Sequence, residues 1–242
     1  MSKDLMKKYY DNQSDCFLKP PSETWSKIKK HSKKEIKKIE ILKENQKNLV
    51  NPYSEDELNF LKKYGAFVLE NVFSTEECEH YIKETESIGY QKLYGYHPSY
   101  RNNTRIIIQD IDLVQTIFER IKNFVPEKVQ DENGKTWKLC GMNERFRWCK
   151  YVKGQHFSPH FDANFMRNLK EKSFFTFMIY LNGPIEAGCT RFLNIDSKET
   201  LDKIKPECGL AVIFPHKVYH DGEQLKSDSK YICRSDLMYR ME

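Results

Sequence analysis

The chain has 242 residues, with 40 Lys plus Arg against 35 Asp plus Glu, 39% hydrophobic and 13% aromatic residues. That composition excludes disorder throughout and provides for one substantial core. Nothing approaches the ~18 uninterrupted apolar residues of a membrane helix, and the opening MSKDLMKKYYDNQ lacks the apolar run of a secretory leader, so a cytoplasmic location is expected, with the nucleus as the alternative and no membrane partner. The seven cysteines (Cys16, Cys78, Cys140, Cys149, Cys189, Cys208 and Cys233) are odd in number, scattered and without a C-x-x-C pair, which points to free thiols in a reduced compartment.

Charge is concentrated at the start. Residues 1–50 carry 13 Lys and 7 acidic residues, net +6, leaving about −1 for the rest. Residues 26–46 contain no Gly or Pro, and Trp25, Ile28, Ile36, Ile39 and Leu42 approximate a narrow helical stripe. The pattern predicts a basic helical extension over 1–50, with a domain boundary near Asn51. Its lysines suit an acidic partner; a solvated helix lying on the domain is the plainer reading.

From Ala66 the run AFVLENVF has strand length, and Ser74-x-x-Glu77 reads as a capping box opening a helix to about Ile88. A β-branched run over 104–108 precedes a helix predicted over 113–124, with Asp110 or Asp112 near its cap. Strands are then expected over 137–140, 145–151, 173–181, 190–193, 210–214 and 231–239, separated by turn signals such as Asn182-Gly183-Pro184. Helices first and short strands afterwards predict an α+β, mainly β domain over 51–242, a sandwich or barrel with supporting N-terminal helices and its core at about 137–240.

The histidines able to form a metal site, His156, His160, His216 and His220, lie in the strand-rich half, with Asp162 two residues after His160. A non-haem ferrous centre that binds both a cosubstrate and oxygen needs two imidazoles and one carboxylate on one side of the metal, leaving the opposite positions open. In extended chain, residues two apart point the same way, so His160 and Asp162 can serve one ion, with the third ligand coming from another strand. The pairs 156/160 and 216/220 would each make a two-histidine zinc clamp on a helix, but Pro159 opposes a helix at the first and Ile213-Phe214-Pro215 favours a strand at the second.

Several segments, taken in order, resemble the iron(II)- and 2-oxoglutarate-dependent dioxygenases, in the branch that includes prolyl 4-hydroxylases. They are Arg147-Trp148-Cys149-Lys150-Tyr151, Gly154-Gln155-His156-Phe157-x-Pro159-His160-Phe161-Asp162, the run Ser173 to Asn182, Pro206-Glu207-x-Gly209 through Pro215-His216, His220-x-Gly222, and Lys230 to Asp236. The likeness extends over about 66–239. It implies a double-stranded β-helix (jelly-roll) in which His160, Asp162 and His220 bind Fe(2+), with 2-oxoglutarate and O2 as cosubstrates and L-ascorbate as an accessory.

The same resemblance implies that Lys230, ten residues past the distal histidine, holds the far carboxylate of the cosubstrate. Arg234 shares its face, and its planar fork suits a carboxylate, so it is the alternative holder of the far carboxylate; whichever of the two does not hold it serves the near carboxylate or the substrate, and Tyr151 and, more weakly, Thr176 are further cosubstrate contacts. Where the family has Gly-Gly-Glu-Thr this chain has Ala187-Gly188-Cys189-Thr190, so a close backbone approach or a glutamate contact is expected to be lost. The implied activity is hydroxylation of an aliphatic C–H, first a prolyl or other amino-acid side chain in a protein, as in a procollagen-proline 4-dioxygenase. A free amino acid or small molecule is the alternative substrate. A non-enzymatic metal-bound barrel binding nucleic acid or a partner through its lysines is the rival from another class, and the near-neutral domain past residue 50 offers phosphate little attraction.

Overall fold

Period-two alternation of apolar residues organises the computed structural model, which describes residues 17–18, 25, 34–42, 55–226 and 229–242. Among these, the helices are α1 (Glu55–Tyr64), α2 (Thr75–Ile88) and α3 (Ile111–Ile121). The early strands are β1 (Phe17–Leu18), β2 (Lys37–Ile41), β3 (Ala66–Glu70), β4 (Gln91–Lys92) and β5 (Thr104–Gln109). Then come β6 (Lys128–Gln130), β7 (Thr136–Met142), β8 (Arg145–Val152), β9 (Phe157–His160), β10 (Met166–Asn168) and β11 (Glu171–Tyr180). β12 (Thr190–Leu193), β13 (Thr200–Ile204), β14 (Ala211–Pro215), β15 (His220–Gly222) and β16 (Ser229–Met241) complete the chain.

α2 starts at the expected capping box: the Ser74 hydroxyl accepts from the Glu77 N–H and the Glu77 carboxylate accepts from the Ser74 N–H. α3 begins two residues before the expected position because Asp110 is its cap, accepting from the Leu113 N–H at 2.9 Å. The strands form two sheets, a large one in the order β1-β5-β8-β16-β11-β14-β3-β2 and a smaller one in the order β13-β12-β15-β9. Neighbours in space are mostly antiparallel and distant in sequence, which is the winding of a double-stranded β-helix.

Each central strand of the large sheet buries both faces. Phe146, Trp148, Phe175, Phe177, Ile179, Cys233 and Leu237 join the core beneath α2 and α3. The alternate residues Cys149, Tyr151, Met178, Tyr180, Val212, Phe214 and Ile232 face the smaller sheet and pack with Phe192 and Ile204. Strict alternation therefore places Arg147, Thr176, Lys230 and Arg234 on the inner face, between the sheets.

The expected helix over 26–46 is corrected where the structure describes it: Lys37–Ile41 is a strand pairing antiparallel with β3, Ile39 opposite Val68 and Lys37 opposite Glu70. The open edge of β3 supplies backbone partners that an isolated, weakly amphipathic helix does not have, and lysines on an edge strand discourage further pairing. Ile39 stays 47% exposed, Leu42 is buried, and Ile28 lies outside the described residues. Trp25 is 1% exposed, packs edge-on to Tyr81 and Trp148, and donates from Nε1 to Asp110 Oδ2 at 2.6 Å. β1 pairs with β5. The described parts of the first fifty residues thus belong to the barrel.

Candidate active site

β9 and β15 run antiparallel in the smaller sheet with His160 directly opposite His220, and the two imidazole rings lie 4.3 Å apart, centre to centre. The chain leaves β9 extended, so Asp162 returns to the side of His160. Its N–H is held by the carbonyl of His216 at 3.0 Å. Asp162 Oδ1 lies 3.6 Å from His160 Nε2 and Oδ2 lies 3.7 Å from His220 Nε2. The potential ligand atoms of these three residues all fall within 4.8 Å of one another, and no other such group occurs among the described residues.

The chemistry of this donor set fits a divalent metal. His160 Nδ1 faces the Ser158 carbonyl and His220 Nδ1 faces the Val218 carbonyl, each at 2.8 Å. A carbonyl only accepts, so each Nδ1 carries a hydrogen and each Nε2 is the nitrogen turned toward Asp162, the orientation a metal requires. Burial, reinforced by His160, pushes the His220 imidazole down to about 3. Burial alone would raise the Asp162 carboxyl, but Arg234 and the two histidines outweigh it and hold it well below the usual carboxylate range. A neutral His220 imidazole and an ionised Asp162 carboxylate therefore converge with His160 at neutral pH.

A polarised chain supports the carboxylate. The Thr176 hydroxyl donates to Asp162 Oδ2 at 2.5 Å and accepts from His216 Nδ1 at 3.0 Å. His216 Nε2 in turn meets the Ser173 hydroxyl at 2.8 Å, and that hydroxyl accepts from the Phe165 N–H. Burial pushes His216 down to about 4, in keeping with a neutral ring in this chain. A larger cavity of about 400 Å³, bordered by Phe60, Tyr64 and Lys172, reaches His216 and Ser173 from the far side.

The smaller cavity at the triad is lined by Tyr151, Thr176, Lys230 and Arg234, all expected from sequence, and also by Arg101, Arg147, Cys149 and Asp221. Lys230 is 2% exposed, lies opposite Tyr151 across β16 and β8, and sits 4.5 Å above that ring. Its Nζ donates to the Gly188 carbonyl at 2.5 Å, and burial pushes its ammonium down to about 8. Arg234 Nη1 meets Asp162 Oδ1 at 2.9 Å, and Thr176 is likewise turned to Asp162. His156 stands apart from the triad, its Nε2 at the Ser99 carbonyl.

The Ala187-Gly188-Cys189-Thr190 departure keeps its close approach: Gly188 has φ +84°, and a Cβ there would meet Leu225 Cδ1 at 2.8 Å. A carboxylate is also present, because Glu223 accepts from the Gly188 and Cys189 N–H groups at 3.1 and 3.3 Å. Sequence reasoning missed Arg147, although it shares alternation with Tyr151 on β8. Arg101 lies in a loop before β5 and carried no periodic signal.

Residues 146–235 match the sequence profile of the 2OG-Fe(II) oxygenase superfamily, a segment that holds His160, Asp162, His220, Lys230 and Arg234. No curated protein matches the chain. Among solved structures, the chain is similar to the viral collagen prolyl hydroxylase of Paramecium Bursaria Chlorella virus-1, with 19% identity, a TM-score of 0.51, and coverage of 72% of this chain and 96% of that one. It is similar to a Trichoplax adhaerens prolyl hydroxylase in complex with a hypoxia inducible factor peptide fragment, with 14% identity, a TM-score of 0.54 and coverage of 81% and 91%. A Pseudomonas putida prolyl-4-hydroxylase matches with 12% identity, a TM-score of 0.50 and coverage of 76% and 96%. The matched segment contains both histidines and the carboxylate that converge between the sheets, so the chain is prolyl 4-hydroxylase-like in fold, with a central segment similar to the 2OG-Fe(II) oxygenase superfamily.

Proposed function

We propose that this protein is an Fe(II)- and 2-oxoglutarate-dependent dioxygenase that hydroxylates an aliphatic C–H of a prolyl or other amino-acid side chain in a protein. The observation that carries this reading is the convergence of His160, Asp162 and His220 in one cavity with Lys230, a buried ammonium that meets no carboxylate among the described residues. Iron held by His160, Asp162 and His220, with 2-oxoglutarate and O2, would supply oxidative decarboxylation, one atom of O2 entering succinate as CO2 is released and the other entering the substrate hydroxyl.

The protein's own part is positional and electrostatic. His160 and His220 present fixed lone pairs, and Asp162, held ionised by Arg234 and oriented by Thr176, completes one side of the site while leaving the other open. Lys230 receives the far carboxylate of the cosubstrate. It is desolvated and pinned by Tyr151 and Gly188, so the charge pair forms in a dry pocket, where it is stronger than in water. A carboxylate ligand is present, so a halide has no vacated iron position, and hydroxylation is favoured over halogenation. The protein substrate is supported by likeness of fold to prolyl hydroxylases, one of them complexed with a peptide.

The test incubates iron-loaded protein with 2-oxoglutarate, ascorbate and a digest of cellular protein. Succinate and peptides heavier by one oxygen atom are expected, both lost on iron chelation. Iron-bound protein that makes no succinate would contradict the reading.

A further inference from the structure

Charge in the triad cavity does not close on the groups already assigned. Four cations line it: Arg101, Arg147, Lys230 and Arg234. Arg147 meets Asp236 Oδ2 at 3.1 Å and Arg234 meets Asp162, while the remaining carboxylate, Asp221, is bound by Arg191 from outside. Among the described residues neither Lys230 nor Arg101 meets a carboxylate. A divalent iron adds two positive charges and 2-oxoglutarate two negative ones, so filling the site with both leaves an excess of two positive charges: one stays with the iron, which would share Asp162 with Arg234, and the other is Arg101, since the far carboxylate is placed at Lys230.

Arg101 is 8% exposed, and a guanidinium so largely removed from water gains from a counter-ion beside it. It is also held rigidly. Nε donates to Asn103 Oδ1 at 2.7 Å, Nη2 approaches Cys149 Sγ at 3.6 Å, and the guanidinium lies 4.2 Å from the Phe157 ring centre and 5.8 Å from that of Tyr96. Nη1 has no partner among the described residues. Phe157 stacks on His160 at 3.7 Å, and Tyr96 and Tyr100 on the loop before Arg101 are 41% and 38% exposed. Arg101 therefore stands between the metal triad and the solvent side of the site, a place where substrate rather than cosubstrate would pass.

We propose that Arg101 receives a carboxylate of the substrate, so that the molecule hydroxylated is anionic next to its reacting carbon: either a free amino acid held by its α-carboxylate or a peptide with an acidic residue beside the target. The inference rests on the oxygenase reading above. The single guanidinium of Arg101, a planar fork in an aromatic slot, suits a carboxylate.

The test uses full-length protein loaded with Mn(II), which binds without turnover. Thermal stabilisation and calorimetry are read first with 2-oxoglutarate. The ternary complex is then titrated with free amino acids, including L-proline, and their amides, and with prolyl peptides carrying Glu or Gln beside the proline. Acids are expected to bind at least about tenfold better than their neutral partners, and the arm that responds identifies the source of the carboxylate. Arg101→Gln should erase that preference while 2-oxoglutarate affinity stays within about twofold, and Arg101→Lys should restore part of it. Equal binding of acids and amides, or no response to any of these acids, would overturn the proposal without any variant. So would an Arg101→Gln protein that loses 2-oxoglutarate as severely as Lys230→Ala, because Arg101 would then belong to the cosubstrate. Wild-type protein that binds no 2-oxoglutarate would overturn the oxygenase reading and this inference together, whereas failed selectivity in protein that does bind it overturns only the inference.

Discussion

At His160 and His220 the nitrogen turned away from the cavity is already committed to a carbonyl, and the nitrogen facing Asp162 is free to coordinate. Alanine at His160, Asp162 or His220 should each abolish tight metal binding by calorimetry, since three ligands leave no spare. His156→Ala should bind like the wild type, because its imidazole faces Ser99. Lys230 carries a pH signature. Its ammonium is pushed down to about 8 in the fold from an ordinary value of 10.5. Between those values the unfolded chain binds more protons, so the metal-free fold gains stability as pH rises through that window. Cosubstrate binding runs the other way, because only the protonated lysine pairs with a carboxylate: affinity for 2-oxoglutarate should fall as pH rises through 8. Lys230→Ala should raise the 2-oxoglutarate requirement by roughly 2 to 5 kcal/mol and flatten that pH dependence. His160 and Asp162 were readable as a pair from their spacing in extended chain, whereas His220 and Lys230 were named by resemblance, and the fold brings all four to one cavity. Arg101 was not readable, since its role depends on Cys149, Phe157 and Asn103, which only folding brings around it.

The strands of the barrel were readable because period-two alternation survives wherever both faces are buried differently. 190–193 was expected and Thr190–Leu193 is found, and Arg145–Val152 exceeds the expected 145–151 by one residue. β2 was not readable, because its residues are largely exposed and its state is decided by the edge of β3, far along the chain. The consequence for stability reverses the expectation for an independent extension. Trp25 fills a pocket beside Tyr81 and Trp148 and satisfies Asp110, which caps α3. Trp25→Ala should destabilise the protein by about 3 to 5 kcal/mol, as for truncation of a buried tryptophan, read as a lowered denaturation midpoint. A chain starting near Asn51 should melt lower still. Ser74→Ala, which removes one half of the α2 capping box, should cost about 1 kcal/mol in the same assay.

Across the molecule, two sheets bring together residues from β8, β9, β11, β15 and β16, and the site exists only when they close. α2, α3 and Trp25 cover the outer face of the large sheet and β2 extends its edge, while Leu42 and Leu61 join the cluster between the sheets, so these parts act on the site through the barrel's stability. The most direct measurement is aerobic incubation with Fe(II) and 2-oxoglutarate, following succinate, for the wild type beside His160→Ala and Asp162→Ala proteins shown by their melting curves to be folded. Iron-dependent succinate is expected from the wild type and none from either variant. A folded wild type that binds iron no better than His160→Ala and forms no succinate would contradict it.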